Sequence, residues 1–371
     1  MLWLLVIVIV VAMILEYRSL HIPVRFVHYH IAPSKKSVEQ GEEFKINTTI
    51  ENATNYNIPY LLVEETIPNV MKIKRRENLN LLQSGTALIH RNALFIKKHQ
   101  RVKRTISAVI YERGVFHFKE AQLFFGDFLG IKEKERVIKQ NQSIVVYPQR
   151  MEEERLNKVL SDIFGEISVR SFLFADPMLV LGYRDYTGRE SLRSISFPMT
   201  AKRNEMTVKE FDHTREELVD LIFDVEYKGD FDHYFDQRET TFCIVRTFCE
   251  AFEKKGISYR LITNAYYAEM DVRGVNVIQS GGSGGSSFHK ILEMLGMASG
   301  ASMCKTEELL HYVFRHFSQE KEVIYVAQRR EQESTKKIAQ MEQRYRIKVH
   351  SIYGEDYEKT YIEKIKHKGE G

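Results

Sequence analysis

Cysteine is scarce: Cys243, Cys249 and Cys304 are the only three in 371 residues, and no C-x-x-C spacing links them. An odd, sparse set excludes a disulfide framework and the usual four-ligand zinc sites, and reads as buried thiols in a reducing compartment. Excess charge of one sign is missing too. Lys and Arg number 54 against 50 Asp and Glu, a formal charge of +4, which argues against nucleic acid as a partner. Phosphate-binding signatures are absent, since neither G-x-x-x-x-G-K-[ST] nor a complete G-x-G-x-x-G occurs.

What is present supports ordinary cores. A hydrophobic content of 43% over this length is enough for two or three domains. The run Met1–Leu15, MLWLLVIVIVVAMIL, carries no charge and predicts a transmembrane anchor over residues 1–18, with Glu16, Tyr17 and Arg18 at the interface. It lacks the basic n-region and the small-x-small cleavage site of a signal peptide. Arg18, Arg25, Lys35 and Lys36 follow the run, so the positive-inside bias places the body in the cytoplasm, held at the cell membrane by this single anchor.

Residues 23–150 read as a β-sandwich-like domain. Phe44, Ile46 and Ile50 alternate with Lys45, Asn47 and Thr49, the period of a half-buried strand, and Arg113-Gly114 marks a hairpin. Sequons at Asn47, Asn52 and Asn141 are chance matches in a cytoplasmic body. A helical linker opens residues 151–215, whose later part is dense in basic and aromatic residues. Residues 216–355 alternate apolar strands, such as Leu218–Val225, with helices of ten to fifteen residues, such as Thr240–Lys254, and predict a mostly parallel, doubly wound α/β domain. A charged tail fills 356–371.

The basic-aromatic segment carries a resemblance. Arg184, Tyr186 and Gly188 follow R-x-Y-x-x-G with one spacer residue fewer before the glycine; Arg193, Ile195, Ala201 and Lys202 fit the following pattern, with Phe197 standing where a tryptophan is usual. In these residues, in the segment from Gly126 to Ile131 and in Val146-Tyr147-Pro148, the chain resembles the bacterial family called domain of unknown function 58. The resemblance implies a membrane-associated protein with a von Willebrand factor type A-like domain, acting as an accessory to a MoxR-type AAA+ ATPase and other envelope-assembly proteins. The expected fold class is therefore α+β multidomain: transmembrane helix, β-sandwich-like domain, then a doubly wound domain of von Willebrand type A-like form.

A metal-binding domain of that form carries D-x-S-x-S after its first strand, so that carboxylate and hydroxyl oxygens surround Mg²⁺. Here Asp224 is followed by Val225, Glu226, Tyr227 and Lys228, a degenerate site in which both serines are replaced and an ammonium stands near any cation. No metal, no cofactor and no catalytic residue are expected. Gly281, Ser283 and Gly285 formally satisfy G-x-S-x-G, but the run GGSGGSS reads as a flexible loop, with His289, His311 and His316 near it only in sequence. The basic-aromatic residues fit either a partner-binding surface or a structural set pairing with Asp185 and Glu190. The functional expectation is a membrane-anchored, non-enzymatic interaction or assembly protein; the alternatives are a cell-envelope enzyme and a metal-dependent adhesion module.

Overall fold

The computed structural model describes residues 2–74, 80–84, 87–127, 132–173, 180–188, 195–211, 219–228, 234–267, 274–280, 285–317 and 321–358. They form two units: Met1–Gln149 with Leu295–Met297, and Arg150–Met294 with Ala298–Gly371.

Period-two alternation builds the first unit. In β3 (Glu43–Asn52), Phe44, Ile46, Thr48 and Ile50 are buried while Glu43, Lys45 and Asn47 face outward. With β1 (Val27–Pro33), β5 (Met71–Ile73) and β8 (Arg101–Ile110) it makes a sheet of order β1-β3-β8-β5. A second sheet, β2-β10-β9-β4-β7-β6, joins Ser37–Val38, Glu133–Val146, Gly114–Gly126, Ile58–Pro68, Ala87–Ile96 and Asn80–Ser84 in that order. Phe44, Ile46, Leu61, Val63, Phe118, Leu123 and Ile144 fill one core, each large apolar side chain contributing about 1.5–3 kcal/mol by leaving water.

Two polar features stand inside that core. Glu65 of β4 is buried, accepts the Tyr29 hydroxyl at 2.9 Å and lies 2.8 Å from Nδ1 of the buried His90 on β7. Burial, then the neighbouring Glu65 charge, pushes the Tyr29 phenol far above its ordinary value. Asn52, one of the sequon residues, is fully buried; its Nδ2 donates to Tyr56 O at 2.8 Å and Lys97 O at 3.0 Å, tying together two turns.

In the second unit, β13 (Val219–Asp224) is buried along its whole length and pairs in parallel with β14 (Tyr259–Thr263) and β18 (Glu322–Ala327). β18 pairs in parallel with β19 (Val349–Tyr353), while β16 (Asn276–Ser280) adds to β14 in antiparallel register, giving the order β16-β14-β13-β18-β19. Side chains of Ile222, Val323, Tyr325 and Val349 pack with helices α6 (Thr306–Arg315) and α7 (Gln332–Tyr345). The alternate residues Leu221, Phe223, Ile324 and Val326 are buried on the opposite face by the pleat. Helices α2 (Glu154–Leu173) and α4 (Tyr234–Lys255) pack together, Phe164 meeting Phe252 edge-on at 6.0 Å. Inside β13, Asp220 is a fully buried charge, and Arg260 of β14 grips it in a two-pronged pair at 2.7 and 2.6 Å.

Two expectations are corrected here. Helix α1 (Leu2–Leu20) forms over the apolar N-terminal run, but no helix among the described residues is long and apolar enough to cross a membrane. The uncharged run ends at Leu15, roughly 22 Å of helix against a hydrocarbon core of roughly 30 Å. The transmembrane helix over residues 1–18, and the cell-membrane localisation that rested on it, do not stand. The second correction is to the fold class. Strand outweighs helix among the described residues, and the sheet of the second unit is mixed rather than parallel throughout. A parallel neighbour for β14 would need a crossover helix; the described part of the link to β16 is instead the short strand β15 (Ala265–Tyr267). The doubly wound, von Willebrand type A-like domain is not what forms.

Candidate functional site

Parallel strands converge their carboxyl ends on one edge of a sheet, where ligand sites of such sheets gather. At that edge β13 ends in Asp224, β14 runs into Asn264, β18 into Gln328, and α6 begins at Thr306. Asp224 is 2% exposed and accepts four hydrogen bonds. Oδ1 takes the Glu226 amide at 3.0 Å and Asn264 Nδ2 at 2.8 Å; Oδ2 takes Thr306 Oγ1 at 2.6 Å and Tyr325 Oη at 2.7 Å. A carboxylate offers about four lone-pair sites, so every one is filled by a protein donor.

The surroundings complete the closure. Asn264 Oδ1 accepts the Val225 amide at 2.9 Å, and Gln328 Nε2 donates to Val225 O at 2.8 Å. Glu226 accepts the Thr306 amide at the start of α6, where a carboxylate suits the unsatisfied N–H groups and the helix dipole. Lys228 Nζ stands 3.8 Å from Glu226, 3.3 Å from Glu331 and 3.7 Å from Glu333, an ammonium seated among three carboxylates. The space left beside it is about 10 Å³, room for a single water at most. Asp224, Glu226 and Lys228 thus belong to one self-satisfied polar lock.

Electrostatics follow from burial. Desolvation raises the Asp224 carboxyl above its ordinary 3.8, against the pull of its four donors. Tyr325 is raised well above 10.0, first by burial and then by the Asp224 charge. The Cys304 thiol is pushed up to about 11 by burial, with Glu308, Asp224 and Glu226 adding to it, which makes it a poor nucleophile.

The motif residues lie elsewhere in the same unit. β11 (Val180–Asp185) pairs antiparallel with β12 (Thr207–Phe211), and helix α3 (Phe197–Arg203) sits in the connection. Ile195 bridges to Val208 and is buried with it, so it is structural. Tyr186 donates its amide to Met206 O at 2.8 Å, and Gly188 takes a φ of +87°, a conformation that explains glycine there. Pro198 stands in the first turn of the helix and Asn204 ends it in a left-handed conformation. Arg184, Ala201 and Lys202 are exposed, and so are the apolar side chains of Tyr183, Met206 and Phe197, the last 73% exposed. Arg193 lies outside the described residues, as do Gly281 and Ser283; Gly285 starts helix α5 (Gly285–Met297).

A second open feature is a groove of about 1370 Å³ along α6 and α7, lined by His311, Tyr312, Arg315, His316, Arg344 and Tyr345 among others.

No family model matches the chain. Among curated proteins it is similar to an uncharacterised protein of Bacillus subtilis, YeaD, at 21% identity over 193 residues, covering 51% of this chain and 46% of that one. The chain thus spans about half the length of the curated relative it matches. Among solved structures it is similar to a CARDB domain of Pyrococcus furiosus in complex with di-metal ions, at 10% identity and a TM-score of 0.20, over 33% of this chain and 94% of that one. A non-cellulosomal cohesin of Archaeoglobus fulgidus gives 14% identity and a TM-score of 0.23, over 35% of this chain and 96% of that one.

Reading the sequence for motifs missed the Asn264, Thr306 and Tyr325 partners of Asp224. They stand 40, 82 and 101 residues from it, and single polar residues at such separations carry no pattern. The signal that could have found one of them was Tyr325, a hydroxyl inside the apolar strand Glu322–Ala327 that needs a buried acceptor.

Proposed function

We propose that this chain is a non-enzymatic interaction or assembly component that works with a MoxR-type AAA+ ATPase, as its resemblance to the domain of unknown function 58 family implies. The observation that carries the reading is the exposure of Phe197. A large aromatic side chain at 73% exposure, opening a short helix that ends in Lys202 and Arg203, is the kind of anchor that protein interfaces bury. The strand-end centre supports the same reading, because Asp224 and Lys228 spend their polar capacity on neighbours in the chain and leave no room for a substrate. Basic residues flanking the aromatic favour a partner with an acidic face.

The test is calorimetric titration of the chain with a purified MoxR-type ATPase. Binding that weakens on the order of 10-fold in Phe197→Ala, with unchanged melting temperature, supports the reading. Absence of binding, or binding indifferent to Phe197→Ala, overturns it. If Arg315→Glu rather than Phe197→Ala abolishes binding, the partner occupies the α6/α7 groove instead.

A further inference from the structure

The opposite end of the same sheet carries a different constellation. β18 and β19 run parallel with Ile324 opposite His350, so Glu322 lies two residues before His350 in register. Residues an even number apart share a face of the pleat, and Glu322 and His350 therefore point the same way. That is the face away from α6 and α7, since Val323, Tyr325 and Val349 take the other. Helix α2 approaches from this side, burying Ile163 and Ile167 and delivering Glu166 to the two strand residues.

The donor atoms converge. One ligand atom each from Glu166, Glu322 and His350 lies within 4.8 Å of the others, and His350 Nε2 is 2.9 Å from Glu166 Oε2. Around a tetrahedral ion with bonds of about 2.0–2.2 Å, ligand atoms stand roughly 3.3–3.5 Å apart, a spacing that side-chain shifts of under about 1 Å supply here. Lys348 Nζ holds the other Glu166 oxygen, Oε1, at 2.9 Å, which leaves Oε2 turned toward the imidazole. Such outer contacts are what orient metal ligands. The two side chains differ in access, as a loading site requires: Glu322 is 1% exposed and forms the floor, while Glu166 is 37% exposed and forms the mouth.

We propose that Glu166, Glu322 and His350 form a binding site for one divalent transition-metal ion of the zinc and cobalt class, which pins helix α2 to the strands β18 and β19. One imidazole with two carboxylates suits these borderline ions better than Mg²⁺ or Ca²⁺, which take oxygen alone. Three protein ligands leave a fourth position for water. The site is distinct from the strand-end centre, where the Asp224 oxygens are already filled.

The experiment is titration of the full chain with Co²⁺ in metal-free buffer, read by its visible d–d absorption and by displacement with Zn²⁺. The expected result is one Co²⁺ per chain with a tetrahedral spectrum, bleached by Zn²⁺. Glu166→Gln, a change at the helix surface that leaves folding intact by circular dichroism, weakens binding on the order of 100-fold, and His350→Ala removes the imidazole contribution to the spectrum. Lys348→Met, which releases Glu166 without removing a ligand, weakens binding about 10-fold. Failure of the wild-type chain to take up Co²⁺ overturns the proposal, and so does a spectrum unchanged in both Glu166→Gln and His350→Ala. Glu51→Gln, at the surface of the first unit, serves as the control that leaves uptake unaltered.

Discussion

The two ends of the five-stranded sheet handle buried acid in opposite ways. At the carboxyl end, Asp224 is surrounded by neutral donors: a backbone amide, an asparagine, a threonine and a tyrosine. At the amino end, acids meet cations. Arg260 clamps Asp220 on one face, and Lys348 holds Glu166 on the other, beside the His350 imidazole. Burial consequently raises the Asp224 carboxyl, whereas Glu166, also penalised by its partial burial, is brought below its ordinary 4.5 by Lys348 and His350. One end is a rigid lock of shared protons and the other a balance of full charges, so the two respond differently to mutation and to acid.

The largest effect that would break this contrast comes from Asp224→Ala. It removes the acceptor of the Thr306 and Tyr325 hydroxyls and the Glu226 N–H, and leaves Asn264 Nδ2 with the Cys304 carbonyl alone. At about 1–3 kcal/mol for each unsatisfied group, with partial relief by relaxation, the expected loss is about 3–5 kcal/mol in urea unfolding followed by circular dichroism. A loss under about 1 kcal/mol would mean that the centre is open to water.

A smaller change sharpens the same point. Tyr325→Phe removes one of the four donors while keeping the ring that packs between Val323 and Ala327 in the α6/α7 core, and is expected to cost about 1–2 kcal/mol in the same measurement.

Acid titration gives the smallest effect and the cleanest sign. Because the folded chain holds the Asp224 proton more tightly than the unfolded chain does, that group's contribution to stability is fully present below about 3.8 and is lost as pH rises through its raised folded value. Glu166 behaves in reverse: its contribution is present above 4.5 and is lost as pH falls through its depressed folded value. Asp224→Asn and Glu166→Gln should therefore tilt the acid limb of the stability curve in opposite directions. Tilts of the same sign would dissolve the distinction between the two ends.

Much of the architecture was legible where one residue type repeats at one period. Phe44, Ile46 and Ile50 announced β3, and Phe242, Val245, Phe248, Cys249 and Phe252 announced α4. Pairing direction was not legible: Asn276–Ser280 reads as the same apolar strand whether it runs with β14 or against it, because hydrophobic pattern records burial and not orientation. β17 (Ala298–Ser302), with the sequence ASGAS, has neither period nor β-forming residues and exists by pairing with β15. Helix α3 was signalled by Pro198 in its first turn, a cue outweighed by the surrounding basic and aromatic residues. Of the candidate sites, the identity of Asp224, Glu226 and Lys228 was readable and their mutual satisfaction was not. The grouping of Glu166, Glu322 and His350 depends on a helix and two strands meeting, and no local spacing encodes that.

The pairing of β13 with β18 also sets a timetable for synthesis. Val219 waits for Glu322 and Asp224 waits for Tyr325, about a hundred positions downstream, so the central seam of the sheet cannot close until the ribosome has released nearly all of this region. During that interval an apolar strand with two acids sits in a nascent chain, able to pair with β14 alone and exposed along its other edge. The acids Asp220 and Asp224 then act as gatekeepers, discouraging a half-finished sheet from recruiting a strand of the wrong molecule.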